Sequence, residues 1–257
     1  MSTSDQDLPW AELDDQGRQT LTLEQVAGRL DHRLHAPEIG IPELRAGCQL
    51  AADHRLAAIT CRPQHIAHAA SHLDGTAVAV VSGLGFANPA APTDAPAWVE
   101  EAEALAAAGA IELAVVATAA RLSRDAPAPF VAAVERLVEL GQSRGFRLRV
   151  HLDVRDLTDQ QVIGICRDLA AAGVWMVQTG SWLGERAGFR HAVLMREALG
   201  TAVLLKWTSP VPSLHVLLLA IAEGIDRFNA DVPQILQQAA RQASLAPLLV
   251  PKAGLDY

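Results

Sequence analysis

The sequence predicts an α/β chain folded as a closed (β/α)8, or TIM, barrel with a short N-terminal extension. Three observations carry that expectation. Eight short β-type runs alternate with helical segments at close to the period of successive βα units. The length of 257 residues suits such a barrel as one unit. No glycine fingerprint of a dinucleotide site follows the first run, which weighs against an open doubly wound sheet.

In chain order the expected strands are Arg29–Leu34, Ala57–Cys61, Ala77–Gly83, Glu112–Ala117, Arg147–Val154, Trp175–Thr179, Ala202–Trp207 and Asp226–Asn229. Each is a short apolar or β-branched run bounded by turn residues. Helical segments lie between them, among them Ala97–Ala108, Ala128–Ser143, Thr158–Ala172 and Arg186–Leu199. Thr158 and Asp159 supply an N-terminal cap and an acidic first turn, and Gly173 is the matching stop. Gly109, Gly145, Gly200 and Gly224 close the neighbouring helices in the same way. Residues 1–22 read as a polar extension, a flexible leader or an added helix. Residues 23–245 form a single barrel domain, and 246–257 a C-terminal tail.

Composition narrows the function classes. Half of the residues are apolar and 4% aromatic, enough for a full core. A net charge of −8, with no basic patch interleaved with aromatics, argues against a nucleic-acid or anionic-membrane surface. Cys48, Cys61 and Cys166 are widely separated and lack metal-ligand spacing, so no metal site is expected. An odd, sparse cysteine count suits a reducing compartment. Residues 1–19 are polar and acidic without an apolar signal region, and the most apolar stretch, Leu214 to Ile221, is too short to span a bilayer. A cytoplasmic protein is the expectation.

Lysine usage marks the candidate site. Only Lys206 and Lys252 occur, and nearly all other positive charge is arginine. Lys206 ends the apolar run Ala202-Val203-Leu204-Leu205, at the C-terminal end of the seventh strand. Barrel enzymes build their active sites from those ends. A desolvated lysine amine can act as a nucleophile toward carbonyls. The plainer alternative is a lysine that carries its head to water. Asp31, His32, Cys61, Arg62, Ser82, Asp153, Gln178 and Thr179 end other strands and should share the mouth.

Several segments, in order, carry a family resemblance. Leu30-Asp31-His32-Arg33-Leu34-His35-Ala36-Pro37 resembles the I-D-H-T-L-L-x-P segment of deoxyribose-phosphate aldolase, a class I aldolase barrel. Ile59-Thr60-Cys61-Arg62-Pro63 is similar to its V-C-V-N-P. Val80-Val81-Ser82-Gly83 stands at V-I-G-F-P, without the proline. Gly109-Ala110 with Glu112 resembles G-A-D-E-I-D, Arg149–Val154 resembles K-V-I-I-E-T, and Gly173–Gly180 resembles G-A-D-F-V-K-T-S-T-G. Leu205-Lys206-Trp207-Thr208-Ser209 matches V-K-A-S-G-G in part. The resemblance spans Val26 to Asn229.

That resemblance implies an imine-forming lysine on the sixth strand, a pKa-lowering lysine on the seventh and a proton-relaying aspartate on the fourth. These positions hold Gln178, Lys206 and Ala114 here, so the chain reads as a divergent member lacking the Schiff-base lysine. The family's phosphate turns are altered too. Ser209-Pro210-Val211-Pro212 replaces S-G-G with prolines that lack an N–H, and Asn229-Ala230-Asp231-Val232 brings an acid into G-[AT]-S-S. Thr179-Gly180-Ser181-Trp182 introduces an aromatic.

The expectation is therefore a repurposed aldolase-like enzyme acting on a small, non-phosphorylated carbonyl compound without a cofactor. Lys206 is its key amine, with Asp31, Asp153 and His32 in the catalytic set and His151 a further acid–base candidate. Its pKa would be lowered by burial or by Arg33 or Arg62, whereas a charged aspartate beside it would favour a purely electrostatic role. Gln178, Thr179, Trp182, Trp207, Ser82 and Arg62 would contact the ligand, as would Tyr257, since a C-terminal tyrosine enters the site in some family members. The alternative is an inactive barrel that binds a ligand or partner. Such barrels pair through outer helices, so a homodimer is the expected assembly.

Overall fold

The computed structural model describes residues 12–14, 17–85, 95–122, 127–180 and 188–253. Eight strands close into a barrel: β1 (Leu30–Leu34), β2 (Ala58–Cys61), β3 (Ala79–Gly83), β4 (Glu112–Ala117), β5 (Arg147–Asp153), β6 (Met176–Gly180), β7 (Leu204–Val211) and β8 (Arg227–Ala230). Every neighbouring pair is parallel, and β8 returns to β1 through Phe228↔Leu30 and Asn229↔Asp31. All eight expected strands are present.

The helices are α1 (Leu23–Ala27), α2 (Ile41–His54), α3 (Ile66–Leu73), α4 (Ala95–Ala107), α5 (Ala119–Leu122), α6 (Ala128–Arg144), α7 (Asp159–Ala171), α8 (Phe189–Leu199), α9 (Leu214–Ala222) and α10 (Val232–Ala243). Their ends follow local chemistry. Thr158 caps α7 in a reciprocal box with Gln161, and Ser213 and Asp231 cap α9 and α10 by accepting from Val216 and Gln234 N–H groups. Gly145 ends α6 at φ +79°, a left-handed backbone that side chains other than glycine rarely adopt.

The segment expected as a leader or added helix contributes two short strands instead. Glu12–Leu13 and Gln19–Leu21 pair antiparallel, and Gln19–Leu21 also pairs with Leu248–Leu249 near the other end of the chain. Residues 1–11 and 254–257 lie outside the described residues.

Side-chain alternation separates two environments. Outward-facing Leu113, Val115, Leu148, Val150, Leu152, Val177 and Leu205 are buried against the helices. The inward face is polar, where barrels of this class are filled mainly by branched apolar side chains. Following the strand registers round the barrel sets the inner residues in layers. Asp31, Val81, Arg149 and Lys206 share one layer. Ala58, Glu112, Met176 and Arg227 lie one step toward the N-terminal face. Thr60, Ala114, Gln178 and Asn229 lie one step toward the mouth, and Arg33, Gly83, His151 and Thr208 follow.

Candidate active site

Asp31 is fully buried on β1 and gathers cations from three other strands. Lys206 Nζ donates to its Oδ2 at 2.5 Å and Arg149 Nη1 to the same oxygen at 2.7 Å. Arg227 Nε and Nη2 donate to Oδ1 at 2.9 and 2.6 Å. Glu112, fully buried on β4, extends the cluster. It accepts from Arg147 Nη2 at 2.7 Å, pairs with Arg149 Nη2, and lies 4.0 Å from Arg227 Nη2. Lys206 shares its layer with Asp31 and Arg149, and it is 3% exposed.

Two carboxylates therefore face four cationic groups, Arg147, Arg149, Arg227 and Lys206. Burial pushes the Asp31 carboxyl upward, but Arg227, Lys206 and Arg149 outweigh it and hold the pKa well below the ordinary carboxylate range. Burial is the largest influence on Lys206. Asp31 pulls the other way, Arg149 and Arg227 add repulsion, and the amine is pushed down from 10.5 to about 7. The arginines responsible are Arg149 and Arg227, rather than Arg33 or Arg62. A guanidinium does not readily give up its proton, so the amine is the group in this cluster that can shed charge.

His151 faces inward on β5, two layers nearer the mouth than Lys206. Burial, opposed by Asp153 and reinforced by Lys206, pushes its pKa down to about 4, so the imidazole is neutral near pH 7. Gly180 lets the walls close in here, because a Cβ at that position would lie 3.0 Å from both His151 Nε2 and Thr208 Cβ. Beside Lys206 in register, Gln178 is buried and also faces inward. Asn229 Nδ2 donates to the Thr208 carbonyl at 3.1 Å.

The structure brings Asp31, Lys206 and Gln178 together and separates other sequence-derived residues from them. Asp153 lies at the mouth and is paired with Arg155 at 2.9 Å. Arg62 Nε donates to the His35 carbonyl at 3.0 Å, at the β2 end of the mouth. His32, Ser82, Thr179 and Trp207 lie on outward-facing positions. Ser82 Oγ donates to the Cys61 carbonyl at 3.1 Å, and Trp207 packs against Phe189 of α8 with ring centroids 5.3 Å apart. Trp207 thus faces a helix, not the barrel axis. Trp182 and Tyr257 lie outside the described residues.

Sequence reasoning passed over Glu112, Arg149, Arg227, Thr208 and Asn229. A signal for Arg149 existed. Arg147-Leu148-Arg149-Val150-His151-Leu152-Asp153 alternates polar with apolar, the mark of a strand whose inner face is polar. Among the described residues no group of three or more His, Cys, Asp or Glu is arranged to hold a metal ion. Burial pushes the Cys48, Cys61 and Cys166 thiols up to about 11, 12 and 12, so none is activated as a thiolate. No helix among the described residues is long and apolar enough to cross a membrane.

No protein-family model matches the chain. It is 31% identical over 221 residues to the deoxyribose-phosphate aldolase of Rhodospirillum rubrum, covering 86% of this chain and 91% of that one. It is 26% identical over 210 residues to the deoxyribose-phosphate aldolase of Bacteroides thetaiotaomicron, covering 81% and 87%. Its fold is similar to that of the tetrameric deoxyribose phosphate aldolase from Aeropyrum pernix, with a TM-score of 0.71 at 23% identity, covering 84% and 91% of the two chains.

Proposed function

Because the chain belongs to the deoxyribose-phosphate aldolase family, we propose that it is a divergent aldolase in which Lys206 is the amine that meets a non-phosphorylated carbonyl ligand. The observation that carries this reading is the charge balance of the barrel interior. Two buried carboxylates oppose three buried cations and the half-exposed Arg147, and Lys206 is the one of the four able to become neutral. Gln178 stands where the resemblance sets the imine-forming lysine, and its amide is not basic. Lys206 is its register partner on the next strand, so the change moves the amine sideways rather than along the barrel.

In this reading the neutral Nζ adds to the carbonyl carbon, and the carbinolamine loses water to form an iminium. In the cleavage direction the β-hydroxyl gives its proton to a base and the bond between the α and β carbons breaks. Its electron pair enters the iminium as an enamine while the aldehyde fragment leaves. The enamine regains a proton on the α carbon, and water releases the second product and the free amine. His151, neutral and facing the same space, is the group assigned to relay these protons, and Asp31 steadies the amine whenever it carries charge. The chemistry draws on no cofactor. We place the reaction in the cytoplasm, in a homodimer formed through outer helices.

A second reading is an aldolase-like barrel that binds its ligand without breaking a bond. The 2.5 Å contact between Lys206 and Asp31 favours it, because an ionised neighbour stabilises the ammonium form. Trapping with borohydride separates the two. Incubation with a panel of small aldehydes and borohydride should leave a reduced adduct on Lys206. Its yield should rise with pH through about 7, where the amine loses its proton. No adduct on Lys206 across the panel, at any pH from 6 to 9, would remove the imine reading and leave the binding one.

A further inference from the structure

We infer that Asn229 and Thr208 form a hydroxyl-reading pair beside Lys206, so that the ligand is an uncharged, hydroxyl-bearing carbonyl compound. The inference rests on the proposed carbonyl-binding role of the barrel mouth and deepens it by naming a substrate class and the residues that select it.

Asn229 lies on the inner face of β8, two residues beyond Arg227, the register partner of Lys206. Its amide orientation is fixed chemically: the Thr208 carbonyl can only accept, so it takes Nδ2 at 3.1 Å and leaves Oδ1 on the other side. That Oδ1 is buried and has no hydrogen-bond partner among the described residues, and the same holds for Thr208 Oγ1. Buried polar atoms in native proteins are nearly always satisfied, so two neighbouring exceptions point to a group that completes them.

Position agrees with this. Thr208 follows Lys206 by two residues on β7, the next inward-facing position, at a rise of about 7 Å. Asn229 occupies the layer between them. Ala114 and Gly83 face the same levels from β4 and β3, so the opposite wall carries almost no side chain. A ligand chain bound at these levels would have the small wall on one side and the polar one on the other, with its carbonyl toward Lys206.

The pair also dictates the charge of its ligand. Asn229 Oδ1 needs a donor, and Thr208 Oγ1, with its own proton free, needs an acceptor. A hydroxyl supplies both from one oxygen. A carboxylate or phosphate oxygen that is fully ionised has no proton for Oδ1, and an ammonium, which could donate to both oxygens, would bring a further positive charge beside the cluster of Lys206, Arg149 and Arg227. The two strands therefore select a neutral hydroxyl.

The test compares glyceraldehyde, propanal and glyceraldehyde 3-phosphate as borohydride-trapped adducts of Lys206, in the full chain and in Asn229→Leu and Thr208→Val. The full chain should favour glyceraldehyde over both others by about tenfold or more, the size expected of one or two well-made hydrogen bonds. Each variant should lose the preference, bringing glyceraldehyde and propanal to near parity. Equal discrimination in the full chain and both variants would overturn the inference, as would a preference for the phosphate ester. A measurement that needs no amine chemistry accompanies it: saturation-transfer NMR with glycerol and with propan-1-ol. Glycerol signal in the full chain that is lost in Asn229→Leu upholds the hydroxyl pair even if no aldehyde is ever trapped, which would defeat only the imine reading. Absence of glycerol binding, or binding indifferent to Asn229→Leu, overturns the pair itself.

Discussion

Replacing Lys206 with methionine should be far gentler on the fold than replacing Asp31 with asparagine, although the two groups share one hydrogen bond. Asp31 accepts four bonds, from Lys206 Nζ, Arg149 Nη1, Arg227 Nε and Arg227 Nη2. Lys206→Met removes one of them and leaves the carboxylate paired with two guanidinium groups. The lost charge-assisted bond is worth about 1.5–3 kcal/mol. Against it stand the relief of repulsion from Arg149 and Arg227 and the removal of a desolvated charge, which on its own costs several kcal/mol. The two sides nearly cancel, and the variant should unfold within about 1 kcal/mol of the parent. Asp31→Asn takes the negative charge from beneath three buried cations, the situation that costs about 3–5 kcal/mol when a buried pair is broken. For a chain of this size that is a fall in Tm of roughly 6–20 °C. Equilibrium urea unfolding at pH 7, with the m-value checked for constancy, measures both. If Lys206→Met loses as much stability as Asp31→Asn, the amine is a required counter-charge and the argument for a spare, deprotonating lysine fails.

Two further outcomes follow from groups near the site and behind it. His151 titrates near 4 in the folded chain against an ordinary 6.5, so as pH falls the unfolded chain takes up a proton before the folded one does. Stability should fall by about 3 kcal/mol between those values, and His151→Asn should flatten that part of the curve in pH-dependent denaturation. Gly141 sits in α6 where a Cβ would lie 2.6 Å from the Phe146 carbonyl oxygen and 3.1 Å from its ring. Gly141→Ala should destabilise by about 1–3 kcal/mol or more, although helix propensity alone favours alanine by roughly 1 kcal/mol. A gain in Tm would show that α6 and β5 do not approach so closely.

The strands and helices were legible because local physics sets them. Thr158 and Gly145 mark helix ends through a cap and a left-handed turn. The apolar runs that became β4 and β6 stand between breaker residues. The family resemblance then fixed the order of the barrel and the seventh-strand position of Lys206. What failed to emerge was which side of each strand a residue faces. Consecutive strand residues point to opposite faces, so Lys206 and Trp207 cannot both line the interior, nor can Asp31 and His32, or Gln178 and Thr179. Taking strand ends as the site also passed over Glu112, Arg149 and Arg227, which sit at or near strand beginnings. Their meeting with Asp31 depends on barrel closure and on a stagger that links distant registers, information absent from any one segment.

The buried ion pairs have an origin that bears on how the barrel can be divided. Both carboxylates, Asp31 and Glu112, come from the first four strands. All four cations that meet them, Arg147, Arg149, Lys206 and Arg227, come from the last four. Neither half of the chain can neutralise its own interior. A fragment ending after β4 would carry two unmatched negative charges on the surface it must bury, and its complement would carry three positive ones there, with the half-exposed Arg147 beside them. The two halves behave as each other's counterions, so the unit that folds is the whole ring, and the last strand to dock is the one that finishes the neutralisation.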